Sequence, residues 1–221
     1  MTPEPPKTEV LTIMFADMVG STKLSSALQR GDDMLIKQEL KKIFEERASE
    51  YGGRIVKSIG DGFMLVFQSP TNAVLCGEEI QEELRSWDDD SIPNIQFRIG
   101  LHTGEVSVGE DGDVHGREVN VAARIESAAE PESVYFSETT FGAMNKQELN
   151  FEFVGRKNLK GINEKMGINR VIPAGVTPKT KDDLKKNKWL KTGAIGLALL
   201  FFAGMLWAGY SYVGIPEFSP S

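Results

Sequence analysis

Cysteine and histidine are scarce in this chain of 221 residues, which contains one cysteine and two histidines. The single thiol, Cys76, excludes an internal disulfide and any metal cluster that needs several cysteines. Cys76 falls on the apolar side of a predicted helix, so we expect it to be a buried structural residue. We also expect His102, within a predicted strand, to belong to the core rather than to bind a ligand.

Positive charge is scarce as well, because 32 acidic residues outnumber 25 basic ones and the net charge is −7. Six of the lysines fall within residues 179–191, so the rest of the chain is more acidic than this total suggests. A domain this acidic lacks the positive surface that binds a nucleic-acid backbone. We therefore expect no nucleic-acid partner, whereas a single nucleotide with its metal ions remains compatible with the charge.

We expect no signal peptide in residues 1–8, because these residues are polar and rich in proline. We expect these residues to form a flexible tail. No sensor domain is visible before Val10, so either regulation comes through partners or small ions, or these residues are part of a longer chain.

Charge is absent from residues 192–213, a run that would span about 33 Å as a helix, enough to cross a bilayer. The lysine-rich segment precedes this run and no basic residue follows it, which predicts that the N-terminal domain is cytoplasmic. A buried core helix is the alternative. We expect a linker at 173–188, a single transmembrane helix at 189–213 that anchors the protein in the cell membrane, and a short non-cytoplasmic tail at 214–221.

Two apolar runs, 54–58 and 63–67, flank the sequence Gly60-Asp61-Gly62 and predict a β-hairpin with an Asp-Gly tip. Asp61 has two interpretations. It serves only to make a tight turn, or it binds metal together with Asp17, which follows the predicted strand 10–16. Two carboxylates at strand ends can hold divalent cations against a nucleotide triphosphate.

The predicted strand 10–16 leads into Gly20-Ser21-Thr22, which open a helix predicted to end near Gln29. A small-residue turn at a helix N-terminus presents free backbone amides and is a favourable place for a phosphate. Such turns are also common as plain connectors, so both interpretations stay open at this point.

Periodic segments complete the predicted order of elements. Helices are expected at about 32–51, 69–87 and from 117 onwards, and strands at about 95–103, 104–109, 133–136, 151–153 and 168–172. This order predicts an α+β domain with a ferredoxin-like β-α-β-β-α-β core and a C-terminal extension.

In the last helix, Asn120 and Arg124 are four residues apart and share one face. A solvated surface is the alternative to a functional role for that face.

Four motifs occur in a fixed order along the chain. They are Phe15-Ala-Asp-Met-Val-Gly-Ser-Thr22, Lys57-Ser-Ile-Gly-Asp-Gly62, Gly100-Leu-His-Thr-Gly104 and Asp113-x-x-Gly-x-x-Val-Asn-x-Ala-x-Arg124. Together they resemble the catalytic domain of class III nucleotidyl cyclases over residues 9–172. One motif alone would be a weak match, whereas four in the order of the family are a specific one.

The resemblance implies a metal site at Asp17 and Asp61. These residues match the family's aspartates that bind two divalent cations, Mg²⁺ or Mn²⁺. The main-chain carbonyl of Met18 or of its neighbour is a weaker candidate for a further ligand. One ion would help to deprotonate the ribose 3′-hydroxyl, and the other would hold the triphosphate.

The resemblance also implies that Lys57 and Asp113 select the base. The lysine can donate to the ring N1 of adenine, and the aspartate can accept from its 6-amino group. Guanine presents a carbonyl and a ring N–H at those positions, which is the opposite pattern. The pair therefore indicates ATP as the substrate.

Asn120 and Arg124 match the pair that the family uses in the transition state. Asn120 would orient the ribose, and Arg124 would stabilise the charge that grows on the α-phosphate. Lys160 resembles a recurrent feature of the family and is a weaker candidate for a phosphate contact. In this family the two aspartates of one subunit face the base-selecting and transition-state residues of the other, so a homodimer would hold two sites and a monomer none.

The leading hypothesis is a membrane-anchored adenylate cyclase that converts ATP to 3′,5′-cyclic AMP and pyrophosphate. Guanylate cyclase activity is the nearest alternative, which Lys57 and Asp113 disfavour. A catalytically silent module that binds nucleotide or dimerises is the alternative from another class, although no metal-binding or transition-state residue is missing. The signature of diguanylate cyclases is absent, because Gly60-Asp61-Gly62 does not match it.

Overall fold

The apolar run that begins at Val10 forms strand β1, Lys7–Met18, in the interior of an eight-stranded sheet. The structure is a computed structural model that describes residues 7–21, 30–87 and 95–173. The predicted helix at 22–29, the span 189–213, the tail 214–221 and the linker beyond 173 lie outside these residues. Lys7 and Thr8, expected in a flexible tail, instead begin β1 because they pair with the end of a neighbouring strand.

The other elements follow in chain order. They are α1 (Arg30–Glu50), β2 (Gly53–Ile59), β3 (Gly62–Phe67), α2 (Pro70–Ser86), β4 (Phe97–Val108), β5 (Val114–His115), α3 (Arg117–Ser127), β6 (Ser133–Ser137), α4 (Glu138–Ala143), β7 (Phe151–Lys157) and β8 (Met166–Val171). The strand order is β2-β3-β1-β4-β6-β8-β7, with β5 paired to β4 off this path. Strands β4 and β6 are parallel and the other pairs are antiparallel.

The first part of the sheet, β2-β3-β1-β4, has the strand order of a ferredoxin-like β-α-β-β-α-β core. The predicted α+β fold is therefore confirmed for the described residues, and so is the hairpin. Its turn is Gly60-Asp61 rather than the predicted Asp-Gly tip, because Gly62 already pairs with Ile59. Local signals also set α2, where the Ser69 side chain accepts a hydrogen bond from the Asn72 amide and Pro70 occupies the first turn.

One prediction about strands is wrong. Residues 95–103 and 104–109 were expected to form two strands, but 97–108 form the single strand β4, which pairs with β1 along its whole length. Gly104 looked like a break in the sequence, whereas it lies within the strand and leaves room for a helix packed on top. Helix α4 was not predicted, because six residues are too few to show a helical period.

The sheet is buried on both faces. Helices α1 and α2 cover one face, where Met14 packs in a cluster with Cys76, and α3 covers the other, where Ile13 packs with Val106 and Ala122. The alternation of residues 13 and 14 is the period of a strand. Cys76 is fully buried, which confirms that part of its prediction, and burial raises the pKa of its thiol to about 12.

Among the helices in the described ranges, none is long and apolar enough to cross a bilayer. The span predicted at 189–213 lies outside those ranges, so the membrane anchor stays a prediction.

Candidate active site

The two predicted metal-binding residues, Asp17 and Asp61, lie at the same end of the sheet, one after the paired part of β1 and the other in the turn before β3. Strands β1 and β3 pair as far as Ala16 opposite Phe63, so Asp17 comes next opposite Gly62. A β-carbon at Gly62 would lie 2.5 Å from the carbonyl oxygen of Ala16 and 3.4 Å from the Cα atom of Asp17. Glycine is therefore required at this crossing, and it brings the turn at Asp61 against the end of β1.

Each of these carboxylates has a basic side chain as a counter-ion. Arg98, which lies opposite Asp17 in the β1–β4 ladder, donates from Nη2 to Asp17 Oδ2. Lys37 of α1 places its Nζ 2.9 Å from Asp61 Oδ1. The contact with Lys37 lowers the pKa of Asp61, burial opposes this, and a hydrogen bond with the Ser21 hydroxyl lowers it further. Asp61 is therefore ionised at neutral pH, as a metal ligand must be.

Arg98 also faces Glu126, near the end of α3. Arg98 Nε lies 3.3 Å from Glu126 Oε1, but the two atoms are not aligned for a hydrogen bond. Both are buried, and neither has another hydrogen-bond partner in the part of the chain that the structure describes. Burial raises the pKa of Glu126, Arg98 lowers it, and Asp17 raises it. Arg98 thus connects the end of β1 to α3.

The carboxylate pair fits the cations that the resemblance implies. Mg²⁺ and Mn²⁺ prefer oxygen ligands, and Mg²⁺ is usually held by one or two carboxylates together with water and substrate phosphates. The Met18 side chain is buried in the core, so its main-chain carbonyl alone is left as a candidate ligand. Within the described ranges, no group of three or more His, Cys, Asp or Glu side chains is arranged to hold a metal.

The predicted base-selecting residues, Lys57 and Asp113, form an ion pair. Lys57 Nζ donates to both carboxylate oxygens of Asp113 at 2.7 Å. A β-bulge precedes Lys57 in β2, and the turn after β4 reaches back to this strand, where Arg54 Nη2 donates to the carbonyl of Gly112 at 2.8 Å. Hydrogen bonds from Lys57 and from the backbone N–H of Val114 lower the pKa of Asp113.

Helix α3 rests on β4 at the two glycines of Gly100-Leu-His-Thr-Gly104. A β-carbon at Gly100 would overlap the backbone N and Cα atoms of Glu126, and one at Gly104 would lie 2.6 Å from Cγ of Glu118. Eight residues of helix and four residues of strand both span about 12–13 Å. The helix therefore runs antiparallel along β4 with one close contact at each end.

Asn120 and Arg124 lie on the outward side of α3, and both are exposed. Val121 and Ile125, each one position further along, are buried beneath the helix. The pair shares one face, as predicted. Within the described part of the chain, no hydrogen bond or ion pair joins either side chain to Asp17 or Asp61.

The predicted phosphate cradle lies partly within the described residues. Gly20 adopts a left-handed conformation with φ of 73°, which favours glycine. Ser21 is helical, and its hydroxyl bonds to Asp61. Thr22 lies outside the described ranges. The structure thus brings the first two of these three residues to the carboxylate pair.

Lys160 is exposed in the turn between β7 and β8. The residue before it, Leu159, is buried in a cluster with Val121 and Ile125 of α3. This contact places the turn that carries Lys160 beside the helix that carries Asn120 and Arg124.

Sequence reasoning missed the partners of the candidate ligands. Lys37 and Arg98 neutralise the two aspartates, and Glu126 faces Arg98. A basic residue opposite a strand-end carboxylate is recognisable only when the strand register is known, and the pairing of Asp17 with Arg98 spans 81 positions of the chain. The sequence carries no local signal for it.

Comparison with known proteins identifies the domain. The family model described as the adenylate and guanylate cyclase catalytic domain matches residues 4–171. A serine/threonine-protein kinase of Myxococcus xanthus is 31% identical over 78% of this chain and 21% of its own length. A receptor-type guanylate cyclase of Caenorhabditis elegans is 30% identical over 61% of this chain and 14% of its own length. The chain thus spans a small part of these relatives.

A solved structure shows the same architecture. The adenylyl cyclase CyaB from P. aeruginosa is 26% identical, with a TM-score of 0.72 over 77% of this chain and 97% of that structure. The family match covers most of the chain, and it includes every residue placed above at the carboxylate pair, at the Lys57–Asp113 pair and on α3. The chain belongs to the family of adenylate and guanylate cyclase catalytic domains.

Proposed function

We propose that this protein is an adenylate cyclase that converts ATP to 3′,5′-cyclic AMP and pyrophosphate at sites shared by two copies of the chain. The observation that carries the proposal is the crossing at Gly62, which brings the backbone of the turn that carries Asp61 against the end of β1 that carries Asp17. Divalent cations bound there, Mg²⁺ or Mn²⁺, would supply Lewis acidity to the ribose 3′-hydroxyl and neutralise charge on the triphosphate.

The Lys57–Asp113 pair supports ATP over GTP. The two side chains form a fixed donor and acceptor within 2.7 Å of each other, and both retain hydrogen-bonding capacity beyond the bond that they share. Adenine offers an acceptor at N1 beside a donor at the 6-amino group, which complements this arrangement. The relatives include both adenylate and guanylate cyclases, so the proposed base preference rests on this pair.

Asn120 and Arg124 are proposed to act on the ribose and the α-phosphate. Their exposure on α3 leaves them available to a nucleotide, and Arg124 supplies a fixed positive charge where negative charge grows during attack by the 3′-oxygen. Neither residue contacts the carboxylate pair within the described part of its own chain. The absence of such a contact is compatible with a site in which α3 of one subunit faces Asp17 and Asp61 of the other, with Gly20, Ser21 and Lys160 near the phosphates.

The test is turnover of ATP and of GTP, measured separately with the full-length protein in Mg²⁺ or Mn²⁺. We expect cyclic AMP from ATP, little cyclic GMP from GTP, and loss of product in the Asp61→Ala variant. Dominant cyclic GMP would overturn the proposed role of Lys57 and Asp113. A folded dimer that forms neither product would favour the silent nucleotide-binding module.

Lys37 competes with any cation that approaches Asp61. We expect the Lys37→Met variant to bind Mn²⁺ roughly fivefold more tightly in the absence of nucleotide, because a partly exposed ion pair is worth up to about 1 kcal/mol. Titration of Mn²⁺ followed by electron paramagnetic resonance measures this. Lys41→Met is the matched control, since Lys41 lies on the same helix and pairs with Glu45 instead. Unchanged binding in Lys37→Met would contradict Asp61 as a ligand.

A further inference from the structure

A chain of hydrogen-bonded polar side chains runs through the buried interior from β1 to α3. Its links are 2.6–3.1 Å long and join four hydroxyls, one imidazole and one carboxylate. In order, the members are Thr12, Thr103, Thr140, Ser137, His102 and Glu118. The hydroxyls and the imidazole are buried, and Glu118 is half-buried at the end of the chain.

The links have one consistent direction of donation. The Thr103 hydroxyl donates to Thr140, so Thr12 donates to Thr103. The Ser137 oxygen accepts from the backbone amide of Thr140 as the cap of α4. If the Thr140 hydroxyl also donates to it, the Ser137 proton is free to reach Nδ1 of His102. Nε2 of His102 then carries the remaining proton and donates to the acceptor-only carboxylate of Glu118.

A charged His102 does not suit this chain. Protonation would make Nδ1 a donor to Ser137, whose oxygen already accepts from the backbone amide of Thr140, so the Ser137–Thr140 hydroxyl bond would have to reverse its direction. Burial also lowers the pKa of His102, whereas Glu118 raises it and Arg117 lowers it slightly. These are the charged groups that face the ring from α3. The neutral imidazole is therefore the form that the surroundings favour at neutral pH.

Both the aliphatic stem and the carboxylate of Glu118 are in contact with β4. Its Cγ would lie 2.6 Å from a β-carbon at Gly104, so its stem lies flat on the strand. Its carboxylate reaches His102 Nε2 at 2.6 Å. Glu118 precedes Asn120 by two residues on α3, so this contact fixes how the N-terminal part of the helix is rotated on β4.

We propose that His102 and Glu118 are positioning residues that set the orientation of Asn120 and Arg124, with the neutral Nε2–H tautomer of His102 donating to Glu118. The inference rests on the proposed function, because it concerns the helix that would contact the ribose and the α-phosphate. A small misplacement of such groups is sufficient to slow catalysis by about 10²-fold.

The kinetic test compares two substitutions of Glu118 in the full-length protein. We expect Glu118→Ala to lower kcat by about 10–100-fold and to change the KM for ATP by less than about twofold. Glu118→Gln keeps an acceptor oxygen for Nε2–H, so most of kcat should return. Glu105→Ala, an exposed glutamate on β4, is the matched control and should behave as wild type. Equal kcat in Glu118→Ala and the control would overturn the proposal.

A second readout does not depend on turnover. The chain has two histidines, so the ¹⁵N spectrum of the imidazoles is assigned with one His115→Gln variant. We expect His102 to show the Nε2–H tautomer at pH 7, and Glu118→Ala to shift the amide resonances of Asn120 and Arg124. A charged ring, an Nδ1–H tautomer or unshifted amides would refute the positioning role. An inactive wild type with the expected spectrum would instead refute only the proposed function.

Discussion

Mixing two inactive variants is expected to restore about a quarter of the wild-type activity. Asp61→Ala and Arg124→Ala damage different halves of the proposed site, and each alone should lower kcat by about 10²–10³-fold. Random pairing makes half of the dimers mixed, and each mixed dimer contains one intact site out of two. The measurement is cyclic AMP formation after equal amounts of the two variants are allowed to exchange subunits.

The matched control is a mixture of Asp17→Ala with Asp61→Ala. Both substitutions fall on the carboxylate half of the site, so every pairing leaves both sites damaged and the activity should stay low. Mass spectrometry of the native dimers verifies that exchange has occurred. If exchange is verified and Asp61→Ala with Arg124→Ala stays inactive, the shared site is refuted.

The second large effect is a loss of stability, which we expect from the Gly100→Ala substitution. In Gly100→Ala the new methyl group would overlap backbone atoms of Glu126, which cannot rotate away as a side chain can. Forcing a methyl group into a packed interior typically costs about 1–3 kcal/mol, and we expect the upper end because two backbones must separate. Urea unfolding followed by circular dichroism measures the change in the free energy of unfolding.

Gly142→Ala is the control for that experiment. Gly142 lies in α4, and a β-carbon there would meet no atom within 4 Å. Replacement of a helical glycine by alanine at an open position is expected to be neutral or to stabilise by up to about 1 kcal/mol. A Gly100→Ala variant as stable as Gly142→Ala would show that α3 does not pack on β4 in the way described.

The parts of the fold that local chemistry determines could be predicted from the sequence. Ser69 and Pro70 begin α2 where a cap followed by proline predicts it, and Gly60-Asp61-Gly62 makes the expected hairpin. Strand β4 was predicted as two strands because the reason for Gly104 is not local. That glycine makes room for Glu118, which is 14 positions away and on another element.

The site likewise combines features that local sequence predicts with features that depend on distant residues. The motif residues could be singled out, and the contact of Lys57 with Asp113 is consistent with their predicted pairing. Their roles in catalysis stay predictions until activity is measured. The groups that hold the site in place were not predicted, because Arg98, Lys37 and His102 act through partners that strand register and helix packing bring together.

The direct backbone contact of β4 at Gly100 with α3 at Glu126 limits how this domain can respond to a signal. Packed interfaces switch between discrete arrangements rather than deform continuously, and at Gly100 the strand meets the backbone of Glu126 with no side chain between them. We therefore expect the helix and the strand to move together as one rigid unit. If two subunits share each site as proposed, we expect a regulatory input to act by rotating one subunit against the other, so that the two halves of each site move apart or together as units.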